Sequence, residues 1–293
     1  MAVDSPGGAG PLTRSDAWGR PVGETMQQLG EAGFAVAGRV DVGLLDELRS
    51  CYDGLVHDPD LTYFVSGKCR HRPVEPVDCN AADSRRVDLE LQRLLSPTLE
   101  RLVPGHRPVV AGFVVKGRNQ GLPMEFHQDL THTDETKHRS IAMWVPLVDA
   151  RSSSGALSFV PGSHRWTRGI RPCAEPPFAP DGFQAEFARR MVMLEVAAGT
   201  VVVWDSAVVH GSAANARPYE RPAVTMVAAP AAAQLVHFHV EDDGSLSGSA
   251  IDGNYFTTGV AVPGTPVRAW APRTSAAEFA SVLGPLPASG RSD

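Results

Sequence analysis

The chain has 293 residues, 43% of them hydrophobic and 20% charged, enough for one large core or two small ones. Its net charge of -6 and pI near 5.9 argue against a broad nucleic-acid-binding surface. No stretch approaches the ~18 continuous apolar residues of a membrane span, so no membrane partner is expected.

Four cysteines, Cys51, Cys69, Cys79 and Cys173, lack CxxC spacing. With a large core available and no apolar leader at the N-terminus, they read as free thiols in a reducing, cytoplasmic compartment.

Residues 1–20, rich in Gly, Pro and Ser, read as a flexible tail. Pro21 opens a helix expected over 22–32, with Gly33 as its stop. A short strand is expected at 34–37. A second helix runs from an Asp41 cap to about residue 56, carrying Leu44, Leu45, Leu48, Cys51, Tyr52 and Leu55 at spacings of three and four. Both helices suit the outer face of a sheet. From 57 to 86 periodicity is poor, and His71, Pro73, Pro76, Asp78 and Asn80 mark a loop suited to a substrate lid. A third helix is expected over 88–95, with Pro97 opening a separate short turn towards Leu102.

The character changes at Pro108, where short apolar runs begin to alternate with turns. Strands are expected over 109–116 (broken by Gly112), 125–130, 140–148, in the run GALSFVPGSH from Gly155 to His164, and over 192–196, 200–204 and 223–229, with 208–211 leading into an Asn/Arg/Pro loop. An edge strand at 235–240 completes the set. A Pro-rich loop covers 165–182 and a short helix 183–190. After Asp242 the Gly/Ser/Thr/Pro-rich sequence reads as loops wrapping the core. Helices followed by seven or eight strands argue for a mainly β (α+β) β-sandwich or jelly roll with N-terminal helices packed outside. No internal repeat or linker appears, so residues 21–293 are expected to form one domain with its jelly-roll core at about 108–240.

Chemistry concentrates in MEFHQDLTH, where His127 and Asp129 stand two residues apart after an apolar run. On a strand, residues i and i+2 share a face, so both side chains can reach one point. A third ligand must come from far away, and His210 in VVVWDSAVVHGSAAN is the best candidate. Two histidines and one carboxylate form the facial triad of non-haem Fe(II) oxygenases, which leaves metal positions open for a cosubstrate and O2. Taken alone, an HxD spacing among ten histidines is a weak signal.

The wider setting strengthens it. His127 and Asp129 within FHQD, His210 within HGSAAN, Arg221 eleven residues further on and the run GALSFVPGSH together resemble the phytanoyl-CoA dioxygenase family of Fe(II)- and 2-oxoglutarate-dependent oxygenases. The layout matches over roughly residues 22–230 and most strongly over 109–229. The resemblance implies a double-stranded β-helix of jelly-roll, cupin-like type, with Fe(II), 2-oxoglutarate and O2 as cofactor and cosubstrates. It implies that His127, Asp129 and His210 are the metal ligands and catalytic residues. For 2-oxoglutarate it points to Arg221 and Ser212, with Trp144 and Gln128 at matching positions.

A guanidinium fork suits a planar carboxylate, in keeping with Arg221. Lys116, one of only three lysines, resembles a family lysine near the cosubstrate and reads equally well as a solvated turn residue. Trp144 suits both a pocket wall and simple core packing. Asp205 could orient His210. His164 suits the turn after Pro161-Gly162, and His237-x-His239 has chelate spacing outside the family's metal motifs.

The expected activity is hydroxylation of an unactivated C–H bond in a small natural-product or amino-acid-derived molecule, of the kind met in antibiotic biosynthesis. Desaturation, epoxidation or ring closure use the same oxidative chemistry. Asp129 disfavours halogenation, because the related halogenases carry a small residue there. The substrate pocket is expected from 57–86, 117–123, 131–139, 165–182 and 254–256. His132, Arg72, Arg168 and Phe256 are candidate contacts, with Arg70 and His71 beside Arg72. A cupin-like isomerase or lyase and a non-catalytic binding module are the rival readings, and the protein is expected to be a monomer or homodimer.

Overall fold

A computed structural model describes residues 22–56, 81–119, 123–166, 170–171, 183–240, 246–253, 255 and 266–267. The expected tail at 1–20, the lid region over 57–80 and most of 165–182 lie outside the described residues.

Helix α1 (Val22–Glu31) ends at Gly33, whose φ of 86° is the left-handed turn that glycine adopts without a Cβ penalty. Strand β1 (Phe34–Arg39) leads to α2 (Val42–Val56), and Asp41 Oδ1 accepts the Leu44 N–H at 2.9 Å, the cap expected there. Helix α3 is longer than its periodicity implied. It runs unbroken over Ala81–Leu102 with Pro97 inside it, where two pieces were expected. Burial of Leu91, Leu95, Leu99 and Leu102 explains the difference, since about 1.5–3 kcal/mol per buried leucine outweighs one lost backbone bond.

Strands then dominate. They are β2 (His106–Lys116), β3 (Met124–His127), β4 (Ile141–Pro146), β5 (Leu157–Phe159), β6 (Val192–Leu194), β7 (Thr200–Asp205), β8 (His210–Ser212), β9 (Arg221–Pro230), β10 (Val236–Val240), β11 (Leu246–Ala250) and β12 (Pro266–Val267), with α4 (Gln184–Arg190) before β6. Gly112 does not break β2. Strand β11 occupies a segment expected to be loop; its LSGSA sequence has no apolar pattern, and antiparallel pairing with β10 and β12 makes it a strand.

A five-stranded sheet has the order β1-β7-β4-β9-β2, and a four-stranded sheet the order β3-β8-β5-β6; every pairing in them is antiparallel. A third sheet joins β10, β11 and β12. The fold is a jelly roll with N-terminal helices outside. The five-stranded sheet is buried on both faces, and alternation sorts its residues. Met143, Val201, Val203, Val224 and Met226 pack with α1, α2 and α3, while Ala142, Trp144, Val202, Trp204 and Ala223 pack with Leu157 and Phe159 of the smaller sheet. That inner layer holds the chemistry. No helix among the described residues is long and apolar enough to cross a membrane.

Candidate metal centre and the cationic pocket beside it

His127 and His210 are register partners on β3 and β8, with ring centroids 4.3 Å apart. Each ring donates its Nδ1 proton to a carbonyl two residues back on its own chain, Glu125 O at 2.8 Å and Val208 O at 3.1 Å. A carbonyl can only accept, so the proton sits on Nδ1 and Nε2 keeps its lone pair for a cation. Burial, aided by His210, pushes His127 down to about 4 despite Asp129, which keeps its imidazole neutral at ordinary pH. Asp205 does not orient His210. Its Oδ1 accepts the Ala207 N–H and its Oδ2 pairs with Arg139 at 3.1 Å, which shapes the turn after β7.

Asp129 reaches the same point by a different route from the one expected. Strand β3 stops at His127, so the shared-face rule does not place the carboxylate. Asp129 N–H instead donates to Ser206 O at 2.9 Å, and its carbonyl accepts from Arg171 Nε. Asp129 Oδ1 lies 3.6 Å from His210 Nε2, and Oδ2 accepts the Trp204 indole N–H at 2.8 Å. One ligand atom from each of His127, Asp129 and His210 lies within 4.8 Å of the others. Two imidazoles and one carboxylate, gathered at one point, are a donor set that fits Fe(II).

A pair of cations lies on the inner face of the neighbouring strands. Lys116 and Arg221 are register partners on β2 and β9. Arg221 is 1% exposed, and its Nε and Nη1 have no hydrogen-bond partner among the described residues. Its guanidinium lies 5.3 Å from the ring centroid of Trp144, which is itself part of the inner core. Burial lowers Arg221 to about 10; burial and then Arg221 lower Lys116 to about 8. Lys116 is the last residue of β2 and is partly buried. Gly155, at φ 86°, leaves the room these side chains occupy: a Cβ there would stand 2.5 Å from Lys116 Cδ, 3.3 Å from Arg221 Nε and 3.4 Å from Ala213 O. Buried cations without an acid are costly, and a carboxylate ligand would offset that cost. Ser212 is buried on β8 two residues from His210 and next to Ala213.

Other expected contacts divide. Gln128 is fully buried, with its amide donating to Ala207 O and its Oε1 without a partner among the described residues, so it ties the loop after β3 to the β7–β8 turn. His132 is buried near Asp129 and pushed down to about 4 by burial and then by His237. His237 faces Tyr255 at 4.6 Å. His164 packs under Gly33 and contacts Gly30 O, a structural position. Arg72, Arg168 and Phe256, like Arg70 and His71, lie outside the described residues.

Sequence reasoning missed Trp204, Gly155 and the buried Arg171–Glu135 ion pair, whose side chains are 2% and 3% exposed. Strand alternation in VVVWD was a usable signal for Trp204. Nothing local could reveal Arg171, whose contacts with Asp129, Thr131 and Glu135 span 36–42 residues.

A jelly roll carrying two histidines and a carboxylate between its sheets, beside buried cations, belongs to the class of cupin-like metal proteins. The family model described as Phytanoyl-CoA dioxygenase (PhyH) matches residues 63–223, more than half of the chain. The chain belongs to that family. The Phytanoyl-CoA dioxygenase domain-containing protein 1 homolog of Dictyostelium discoideum is 31% identical over 123 residues, 39% of this chain and 43% of the relative, so the match spans less than half of that protein.

Three solved structures share the fold. SnoN, the non-heme alpha ketoglutarate dependent epimerase from nogalamycin biosynthesis, has a TM-score of 0.56 at 19% identity over 87% of this chain and 96% of its own. SnoK, the carbocyclase from the same biosynthesis, has 0.55 at 20% over 72% and 85%. EctD from S. alaskensis has 0.53 at 19% over 77% and 84%.

Proposed function

We propose that the protein is an Fe(II)- and 2-oxoglutarate-dependent dioxygenase that hydroxylates an unactivated C–H bond of a small natural-product or amino-acid-derived substrate. One 2-oxoglutarate, one O2 and one C–H bond yield succinate, CO2 and the alcohol. The observation that carries this reading is the buried Arg221 with its register partner, the partly buried Lys116, and no acid paired with either among the described residues, beside the His127, Asp129 and His210 cluster. The cluster alone suits any cupin-like metal enzyme, including an isomerase or lyase. A buried arginine and a partly buried lysine, with no acid against them among the described residues, are explained by a dicarboxylate cosubstrate.

Iron(II) bound at the cluster supplies the redox chemistry that couples oxidative decarboxylation of a 2-oxo acid to C–H oxidation. The chain's own residues hold and orient. His127 and His210 present Nε2, and Asp129 presents Oδ1. The Arg221 fork, backed by Trp144 and joined by Lys116 and Ser212, receives the far carboxylate of 2-oxoglutarate. Burial between the sheets excludes water and strengthens these contacts. His132, with His237 and Tyr255 beyond it, supplies a substrate-side wall.

Epimerase and carbocyclase activities named on the same fold make non-hydroxylating outcomes the second reading. An antibiotic-type biosynthetic substrate and a single domain over 21–293 belong to the proposal, as do a cytoplasmic location and a monomeric or homodimeric state. The test is succinate formation from 2-oxoglutarate under O2 with Fe(II) and candidate substrates. His127→Ala and Asp129→Ala should abolish it; succinate release that survives either change would overturn the proposal, and product analysis separates hydroxylation from its alternatives.

A further inference from the structure

Asp129 is the one member of the metal cluster that does not sit on a strand, yet its backbone is held at both ends by Ser206 O and Arg171 Nε. What remains free is rotation of the carboxylate, and Trp204 takes it up. Its indole N–H donates to Asp129 Oδ2 at 2.8 Å, leaving Oδ1 on the side of His210 Nε2. Trp204 comes from the facing sheet, on the inner side of β7, and is 5% exposed. Its ring also packs on His210 at 5.1 Å and on Phe159 at 5.5 Å, and Phe159 in turn stacks on His210 at 5.8 Å. One side chain thus touches two of the three candidate ligands.

We propose that Trp204 is a positioning residue of the metal centre: its N–H reserves Asp129 Oδ2, so that the carboxylate presents Oδ1 alone, and its ring braces His210. The inference rests on the metal-binding reading of the cluster. A carboxylate free to rotate can chelate through both oxygens and consume two coordination positions. Held to one oxygen, with two imidazoles, it leaves three positions open, the number needed by a bidentate 2-oxo acid and O2. The competing role is structural, in which Asp129 merely satisfies a buried indole N–H. That role predicts a loss of stability with unchanged metal binding.

The test titrates Co(II) alone into metal-free full-length protein and follows both affinity and the visible absorption of the bound ion. Wild type is compared with Trp204→Phe and with protein carrying benzothienylalanine at position 204, which keeps the bicycle and replaces the N–H by sulfur. Both changes should raise the Co(II) dissociation constant by roughly 10- to 100-fold, the usual effect of removing a partner that orients a ligand. The absorption should change as Asp129 gains a second contact, while the benzothienyl protein keeps the wild-type melting temperature. Wild-type affinity and spectrum in the benzothienyl protein would overturn the proposal, including where Trp204→Phe fails to fold. If wild type binds Co(II) no better than Asp129→Ala, the metal-site reading itself fails and this inference with it.

Discussion

Lys116 and Arg221 stand opposite each other on β2 and β9, on the inner side of the jelly roll and without a counter-charge among the described residues. Such a pair works against folding and in favour of binding. Arg221→Met should therefore raise the 2-oxoglutarate KM roughly 10- to 100-fold, the ~1.5–3 kcal/mol of hydrogen bonds to a charged group. The same change should leave the melting temperature of the cosubstrate-free protein equal or higher, because an uncompensated buried cation has gone. Steady-state kinetics and thermal unfolding check both; a lower melting temperature with an unchanged KM would remove Arg221 from its role. Arg221→Lys should not restore binding, since a single ammonium cannot reproduce the fork over Trp144.

Cosubstrate affinity should depend on pH through Lys116. Burial lowers this amine from 10.5 to about 8, so the empty pocket loses its proton above that point. A bound carboxylate favours the charged amine, so binding above pH 8 takes up a proton. Affinity should be level below about pH 8 and fall by up to about tenfold per unit above it.

Stability runs the other way. Between about 8 and 10.5 the unfolded chain holds the proton that the folded one has released, so cosubstrate-free protein gains stability as pH rises through that window. Calorimetric titration of 2-oxoglutarate from pH 7 to 9 is the check. A slope that persists in Lys116→Met assigns the effect to another group.

Gly155→Ala should damage the same pocket from the other side. Its Cβ would press on Lys116 Cδ at 2.5 Å and on Arg221 Nε at 3.3 Å, in a backbone conformation with φ 86°. The left-handed conformation alone costs about 1–2 kcal/mol for a residue with a Cβ. The expected result is a lower melting temperature and a raised 2-oxoglutarate KM with the Co(II) affinity kept. Loss of metal binding instead would place Gly155 under the metal and not under the cosubstrate.

Arg171 and Glu135 form a nearly dry ion pair that ties the loop from Asp129 to Glu135. Glu135→Leu removes the acid paired with the buried Arg171 and should cost about 3–5 kcal/mol of stability. Adding Arg171→Met should restore much of the stability. It should lower metal affinity, because Arg171→Met removes the contact to the Asp129 carbonyl that Glu135→Leu leaves in place. Chemical unfolding and Co(II) titration on the single and double variants separate the two effects; wild-type metal binding in the double variant would show that Arg171 does not position Asp129.

Local patterns in the chain were enough for α1, α2, the Asp41 cap and most of the strands, since helical and strand periodicities are written in neighbouring residues. They also supplied two histidines and an aspartate as a candidate cation set; Arg221 and Lys116 came from the resemblance to the family and not from local pattern. Alternation along β7 carried the signal for Trp204 facing inward, which the sequence reading did not use. Where tertiary contacts outweighed local preference the reading failed, as with Pro97 inside α3, β11 without an apolar pattern, and Asp129 beyond the end of β3.

The pairings themselves were decided by the fold. His127 meets His210 and Lys116 meets Arg221 only through the register of antiparallel strands more than eighty residues apart. Trp204 meets Asp129 only because two sheets close face to face. Register and sheet packing are set by the summed burial of two whole faces, and no single stretch of sequence carries that sum.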